Sequence, residues 1–156
     1  MEAEGRIPKV SQYGSVDPAP PAQDALVADL TARLCDEDEP MFQRMRAVFA
    51  LRNLRTDEAC LALCQGFASS SALLRHEIAY VLGQMQNTAA LPTLIQRLED
   101  DQEHVMVRHE AAEAMGAIGD RSVIPSLEKY SQDSQPEVAE SCIVALDLLA
   151  LSLIHI

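Results

Sequence analysis

No run of about twenty apolar residues occurs anywhere in the 156-residue chain, which excludes a membrane-spanning helix on length alone. The opening MEAEGRIPKV has neither the apolar segment of a secretory signal nor the arginine- and serine-rich, acid-poor character of a transit peptide, so the cytoplasm is the expected location. No Cys-x-x-Cys pair is present. Cys35, Cys60, Cys64 and Cys142 each fall in an apolar helical pattern, where a small buried thiol is comfortable, and all four are expected to be core filler. No stretch alternates with period two, so no strand is expected. Bases are scarce: 12 against 24 acids, a formal charge of -12, which disfavours binding to a nucleic-acid phosphate backbone and favours long-range steering of basic partners. The commoner meaning of such a charge is a solvated acidic surface.

What is present is helical. A hydrophobic content of 48% in a chain of this length is enough for one domain with a real core and no disulfides. Residues 1–23 contain Pro8, Pro18, Pro20 and Pro21 with Gly5 and Gly14 and no apolar periodicity, and read as a disordered, Pro-rich lead-in or linker. From Asp24 the apolar residues recur at helical spacing, broken every dozen or so residues by turn signals.

The segments starting at Met45, His76, His109 and Glu140 superimpose on a shared Ala/Val-Leu pattern, with spacings of 31, 33 and 31 residues. Another helix precedes each, and two of these carry Pro92 and Pro125 in the first turn, where a missing amide donor costs least. A two-helix unit cannot cover its own apolar face, so successive units must stack. The expectation is all-α: a right-handed α-solenoid of about four HEAT-like hairpins over residues 24–150, with the second helix of each pair lining one surface.

Within this pattern Arg-His-Glu opens two inner helices, at Arg75-His76-Glu77 and Arg108-His109-Glu110. Equivalent residues of adjacent repeats lie on parallel helices about 10 Å apart, a gap that side chains can close. His76 with His109, and Glu77 with Glu110, are therefore candidates to hold one metal ion. Two histidines and a carboxylate on one face of an open site suit non-haem Fe(II) and leave positions free for dioxygen and substrate. The zinc-protease pattern needs histidines four apart, and those positions hold Tyr80 and Glu113; the Glu-x-x-His pattern of di-iron bundles is also absent. A single His-Glu would usually be a solvated pair at a helix start, favoured by the helix dipole. Two at matched register, flanked by repeats with Met45-Arg46 and Glu140-Ser141, favour the metal.

Gly83 and Gly116 stand seven residues after the histidines, in helix interiors where glycine costs about 1 kcal/mol against alanine. Close approach of a neighbouring helix or of substrate would explain both. Tyr80 and Glu113 could orient ligands, although a surface role is the simpler reading. His104 and the acidic runs Asp36-Glu37-Asp38-Glu39 and Glu99-Asp100-Asp101 are expected to be solvated loop residues.

The segments LLRHEIAYVLGQM and MVRHEAAEAMGAIG, with SVDPAPPA near the start and ESCIVALDLL near the end, resemble the C-terminal half of the deoxyhypusine hydroxylase family, from about Tyr13 to Leu149. The resemblance implies a HEAT-repeat enzyme of two pseudo-symmetric halves, whose four His-Glu motifs hold two Fe(II) ions and activate dioxygen. The reaction implied is hydroxylation of the deoxyhypusine side chain of a basic protein partner, eukaryotic translation initiation factor 5A. By the same resemblance His76, Glu77 and His109 are direct ligands of one iron, and Glu110 is either a ligand or a residue that grips the substrate amine.

Two His-Glu motifs are present where the family pattern has four. One iron is therefore expected for this chain, which would need an N-terminal half as partner and be inactive alone. Residues 151–156, LSLIHI, are the translation of CTGTCTCTTATACACATC, a transposon end used in sequencing libraries, and are expected to be non-native; His155 is given no functional weight. The rival from another class is a non-catalytic HEAT-repeat scaffold for a protein partner. A bilin lyase, built from similar short helical repeats, offers no reason for matched His-Glu pairs.

Overall fold

A computed structural model describes residues 26–152 of the chain. The Pro-rich lead-in and His155 lie outside the described residues. Among the described residues eight α-helices form four antiparallel hairpins: α1 (Val27–Cys35) with α2 (Met41–Leu54), α3 (Asp57–Gln65) with α4 (Ala72–Met85), α5 (Leu91–Glu99) with α6 (Val105–Ile118), and α7 (Ile124–Tyr130) with α8 (Pro136–Leu151). The inner helices pack in sequence, α2 on α4, α4 on α6 and α6 on α8, while the shorter helices form an outer layer. Among the described residues there is no strand, and no helix is long and apolar enough to cross a membrane.

The boundaries follow from local chemistry. Thr56 and Ser71 accept the Ala59 and Leu74 amides at 3.1 and 3.2 Å, capping α3 and α4. His104 caps α6 by accepting the Met106 amide on Nδ1 at 3.1 Å. It is exposed, as expected, and also helps to start the helix that carries the site. Pro92, Pro125 and Pro136 occupy the first turns of α5, α7 and α8. Inner helices α2, α4 and α6 end at Arg55, Gln86 and Gly119, all left-handed with φ of 52°, 53° and 79°, which satisfies their last carbonyls and turns the chain back.

Outer helices bury one stripe, Leu91, Leu94 and Leu98 in α5 for example. The inner helices are covered on several sides, and α4 buries Leu74, Ile78, Ala79, Val81, Leu82, Gly83 and Met85. Of the cysteines, Cys60 and Cys142 are buried and Cys64 is half-buried; burial pushes the Cys142 thiol up to about 11 and makes it inert. Cys35 departs from expectation and is exposed. The buried face of α1 is Leu30 and Leu34, one turn apart, and the next residue points about 100° away from it.

The two glycines set how closely the inner helices approach. A methyl at Gly83 would lie 3.1 Å from the Ala114 Cα, and one at Gly116 would lie 2.9 and 3.0 Å from the Ala145 Cβ and Cα. The neighbouring helix therefore accounts for them. An alanine in a helix interior normally stabilises by about 1 kcal/mol over glycine. Gly116→Ala is expected to do the reverse, with overpacking that costs about 1–3 kcal/mol. A fall in the urea midpoint at constant m-value checks it, and a rise would show that α8 can back away freely.

Candidate metal centre

The arginine of each Arg-His-Glu is structural. Arg44, Arg75 and Arg108 hold equivalent places at the start of α2, α4 and α6, and each reaches the hairpin turn of the next repeat. Arg44 Nε donates to the Leu34 carbonyl at 2.9 Å and its guanidinium to Ser69 Oγ at 3.1 Å. Arg75 donates to the Ser69 carbonyl at 2.8 Å and forks onto Glu103 at 2.7 to 3.1 Å. Arg108 donates to the Leu98 carbonyl at 2.9 Å and pairs with Asp133 at 2.5 Å. Leu34 and Leu98 belong to the last turns of outer helices, whose carbonyls have no partner within the helix, so each fork closes one helix end and joins one repeat to the next.

This ladder corrects the reading of the acidic loops as merely solvated. Glu37 accepts the Ser70 amide and hydroxyl, both at 2.9 Å, and Arg44 at 3.2 Å, so it ties the first hairpin turn to the second. Glu103, an acid in a turn with no local signal of burial, is buried between Arg75 and Arg97. Burial pushes its carboxyl up, but Arg75, the His104 amide and Arg97 outweigh that and hold it below 4.5. A carboxyl depressed in the folded state contributes stability that is present above its unfolded pKa and disappears as pH falls through the folded one. Urea melts at falling pH below 4.5 are expected to show this loss, and Glu103→Gln is expected to flatten it; an unchanged acid limb would place the titrating group elsewhere.

With the arginines turned into the stack, His76, Glu77 and His109 lie half-buried along the seam between α4 and α6, and Glu110 is buried in it. His76 Nε2 lies 3.1 Å from Glu110 Oε2, so an imidazole from one repeat meets a carboxylate from the next. His109 Nε2 lies 3.4 Å from Glu113 Oε1, one turn on. Donor atoms of His109, Glu110 and Glu113 lie within 4.8 Å of one another. Glu110 is therefore the link between the two repeats, touching His76 on one side and clustering with His109 and Glu113 on its own helix. Glu77 is half-buried beside them, near enough that its charge acts on Glu110. The structure thus brings together His109, Glu110 and Glu113, ties His76 to that cluster through Glu110 alone, and leaves Glu77 beside it, so of the four predicted ligands only His109 and Glu110 share the cluster. The i,i+4 spacing from His109 was the signal for Glu113.

The donor set fits a divalent cation. Nitrogen and carboxylate oxygen atoms about 2.0–2.2 Å from one ion and at right angles stand about 3 Å apart, close to the His76–Glu110 separation. Burial, with the charges of Glu113 and Glu77, drives the Glu110 carboxyl above its ordinary 4.5 against the opposing pull of His76 and His109. Three acids on one seam would gain from a cation. Beside them a cleft of about 270 Å³ runs between α4 and α6, lined by Tyr80, Gly83, Gln84, Glu110, Glu113, Ala114 and Ala117. Its walls are largely apolar and its acids sit together.

Stacked helical hairpins with a histidine and carboxylate cluster on their inner seam define a repeat protein of the HEAT class. The pattern described as HEAT repeats matches residues 61–147, and that described as PBS lyase HEAT-like repeat matches residues 43–69. The chain belongs to the HEAT-repeat family and, within it, is a relative of the deoxyhypusine hydroxylases. It is 54% identical to deoxyhypusine hydroxylase of Gallus gallus over 95% of this chain and 50% of that protein. It is 48% identical to that of Homo sapiens over 95% of this chain and 49% of that protein. The solved structure of human deoxyhypusine hydroxylase in complex with glycerol superimposes with a TM-score of 0.84 at 49% identity, covering 92% of this chain and 50% of that one. The chain spans about half the length of the curated relatives it matches.

Proposed function

We propose that this chain carries one Fe(II) site of a deoxyhypusine monooxygenase, acting on the deoxyhypusine side chain of eukaryotic translation initiation factor 5A in the cytoplasm. The observation that supports the reading is the contact of His76 with Glu110 across two repeats, beside the cluster that Glu110 forms with His109 and Glu113. The names of the relatives supply the reaction.

His76, Glu77, His109 and Glu110 would hold the iron, with Glu110 free to share its second oxygen with the substrate amine. Bound iron would supply activation of dioxygen for insertion into a C–H bond. The residues around it supply recognition. A cationic, polyamine-like side chain lying in the cleft would rest its methylenes on Gly83, Ala114 and Ala117 and bring its charge to Glu110 and Glu113. Leu73 and Met106, three residues before each histidine and both exposed, give this seam an apolar rim against which a protein substrate can settle. The formal charge of -12 would speed the approach of a basic partner.

The test is hypusine formation from the deoxyhypusine form of the factor under air with Fe(II) and a thiol reductant, which supplies the two electrons that take the second oxygen atom to water, for this chain alone and mixed with the unmatched half of a relative. The expected result is no product alone and product on mixing. Activity from the chain alone would refute the need for two halves. Absence of both product and stoichiometric iron binding would favour a protein-binding scaffold instead.

A further inference from the structure

The place that Glu110 holds against His76 is held one repeat later by Ser141 against His109. Ser141 sits on α8 and is 4% exposed, with its Oγ donating to the Glu137 carbonyl one turn back at 2.7 Å. The same Oγ contacts His109 Nδ1. A serine hydroxyl has one proton. Since that proton goes to Glu137, the contact with His109 must use a proton on the imidazole.

We propose that Ser141 is a positioning residue for the metal site: the relay Glu137 carbonyl, Ser141 Oγ, His109 Nδ1–H fixes the neutral tautomer of His109 that leaves Nε2, the nitrogen beside Glu113, open to a cation. The proposal rests on the reading of that cluster as a metal site. A histidine that binds metal through one nitrogen generally donates from the other, and that donation sets both tautomer and ring orientation. Free imidazole side chains prefer the proton on Nε2, which would block this nitrogen. A hydroxyl already committed as a donor favours Nδ1–H and adds no charge, and it works against the Glu113 carboxylate, which lies 3.4 Å from Nε2 and favours a proton there.

The relay also depends on the close approach of α8. Gly116, two turns beyond His109, lies against Ala145, one turn beyond Ser141. Glycine on one helix and alanine on the next thus bring Ser141 within reach of the ring.

The experiment is a two-bond proton–nitrogen correlation spectrum of the metal-free chain at a pH where the ring is neutral, with Co(II) titration as a second readout. In the wild type His109 is expected to carry its proton on Nδ1. Ser141→Ala is expected to move it to Nε2 and to weaken Co(II) binding about 10–100-fold. Ser141→Thr, whose hydroxyl can make the same bond to the preceding turn, is expected to keep both properties. A wild-type proton on Nε2, or an Ala variant with an unchanged tautomer, overturns the relay. The expected tautomer with no Co(II) binding by the wild type would leave the relay in place and overturn the metal reading, and with it the purpose assigned to Ser141.

Discussion

Replacing His76 and His109 together by alanine is expected to abolish stoichiometric Fe(II) binding while leaving the fold intact. The affinity loss should exceed the roughly 100-fold that removal of an outer partner can cause, because the imidazoles themselves would be ligands. Stability should hardly change. The side chains are 31% and 25% exposed, so little core is lost, and partly exposed sites of this kind usually shift stability by about 0.5 kcal/mol. Glu110 would lose His76, yet burial already drives it toward its neutral form, so it can take a proton rather than remain a buried charge. Anaerobic Fe(II) titration and a thermal melt on the same variant separate the two effects. Retained one-to-one binding would remove both histidines from the site.

Arg108→Ala is expected to cost about 3–5 kcal/mol of stability, the usual cost of stripping one partner from a buried ion pair. The Arg108 and Asp133 side chains are 5% and 10% exposed, and the same guanidinium closes the C-terminal end of α5 through the Leu98 carbonyl. Both would be left without that donor, and the seam between the third and fourth repeats would loosen. A fall in melting temperature of roughly 10 °C or more corresponds to such a loss in a domain of this size. Asp133→Asn should cost less, since an amide can still accept from Arg108, and the double variant should fall short of the sum. Additive losses would mean that the two residues act independently.

The turn signals, the prolines in outer-helix first turns and the 31-to-33-residue recurrence are local properties of the chain, and the four hairpins followed from them. The pairing of His76 with residues of the next repeat could be anticipated because register alone fixes which positions of stacked helices face each other. The arginines could not be read in the same way. Their partners Glu103 and Asp133 lie 28 and 25 residues further on, in turns where an acid looks like any solvated loop residue.

The sequence by itself determined the hairpins, their stacking order and the placing of two His-Glu pairs at one register, because helical periodicity and repeat length are carried by apolar spacing along the chain. Only the tertiary structure decided that Glu110 touches His76 across the repeats, that it clusters with His109 and Glu113, and that Ser141 stands behind His109. Those choices depend on the distance between helices, which is set where Gly83 meets Ala114 and Gly116 meets Ala145. A difference of one methyl group there moves side chains into or out of contact, and apolar periodicity does not carry distances that fine.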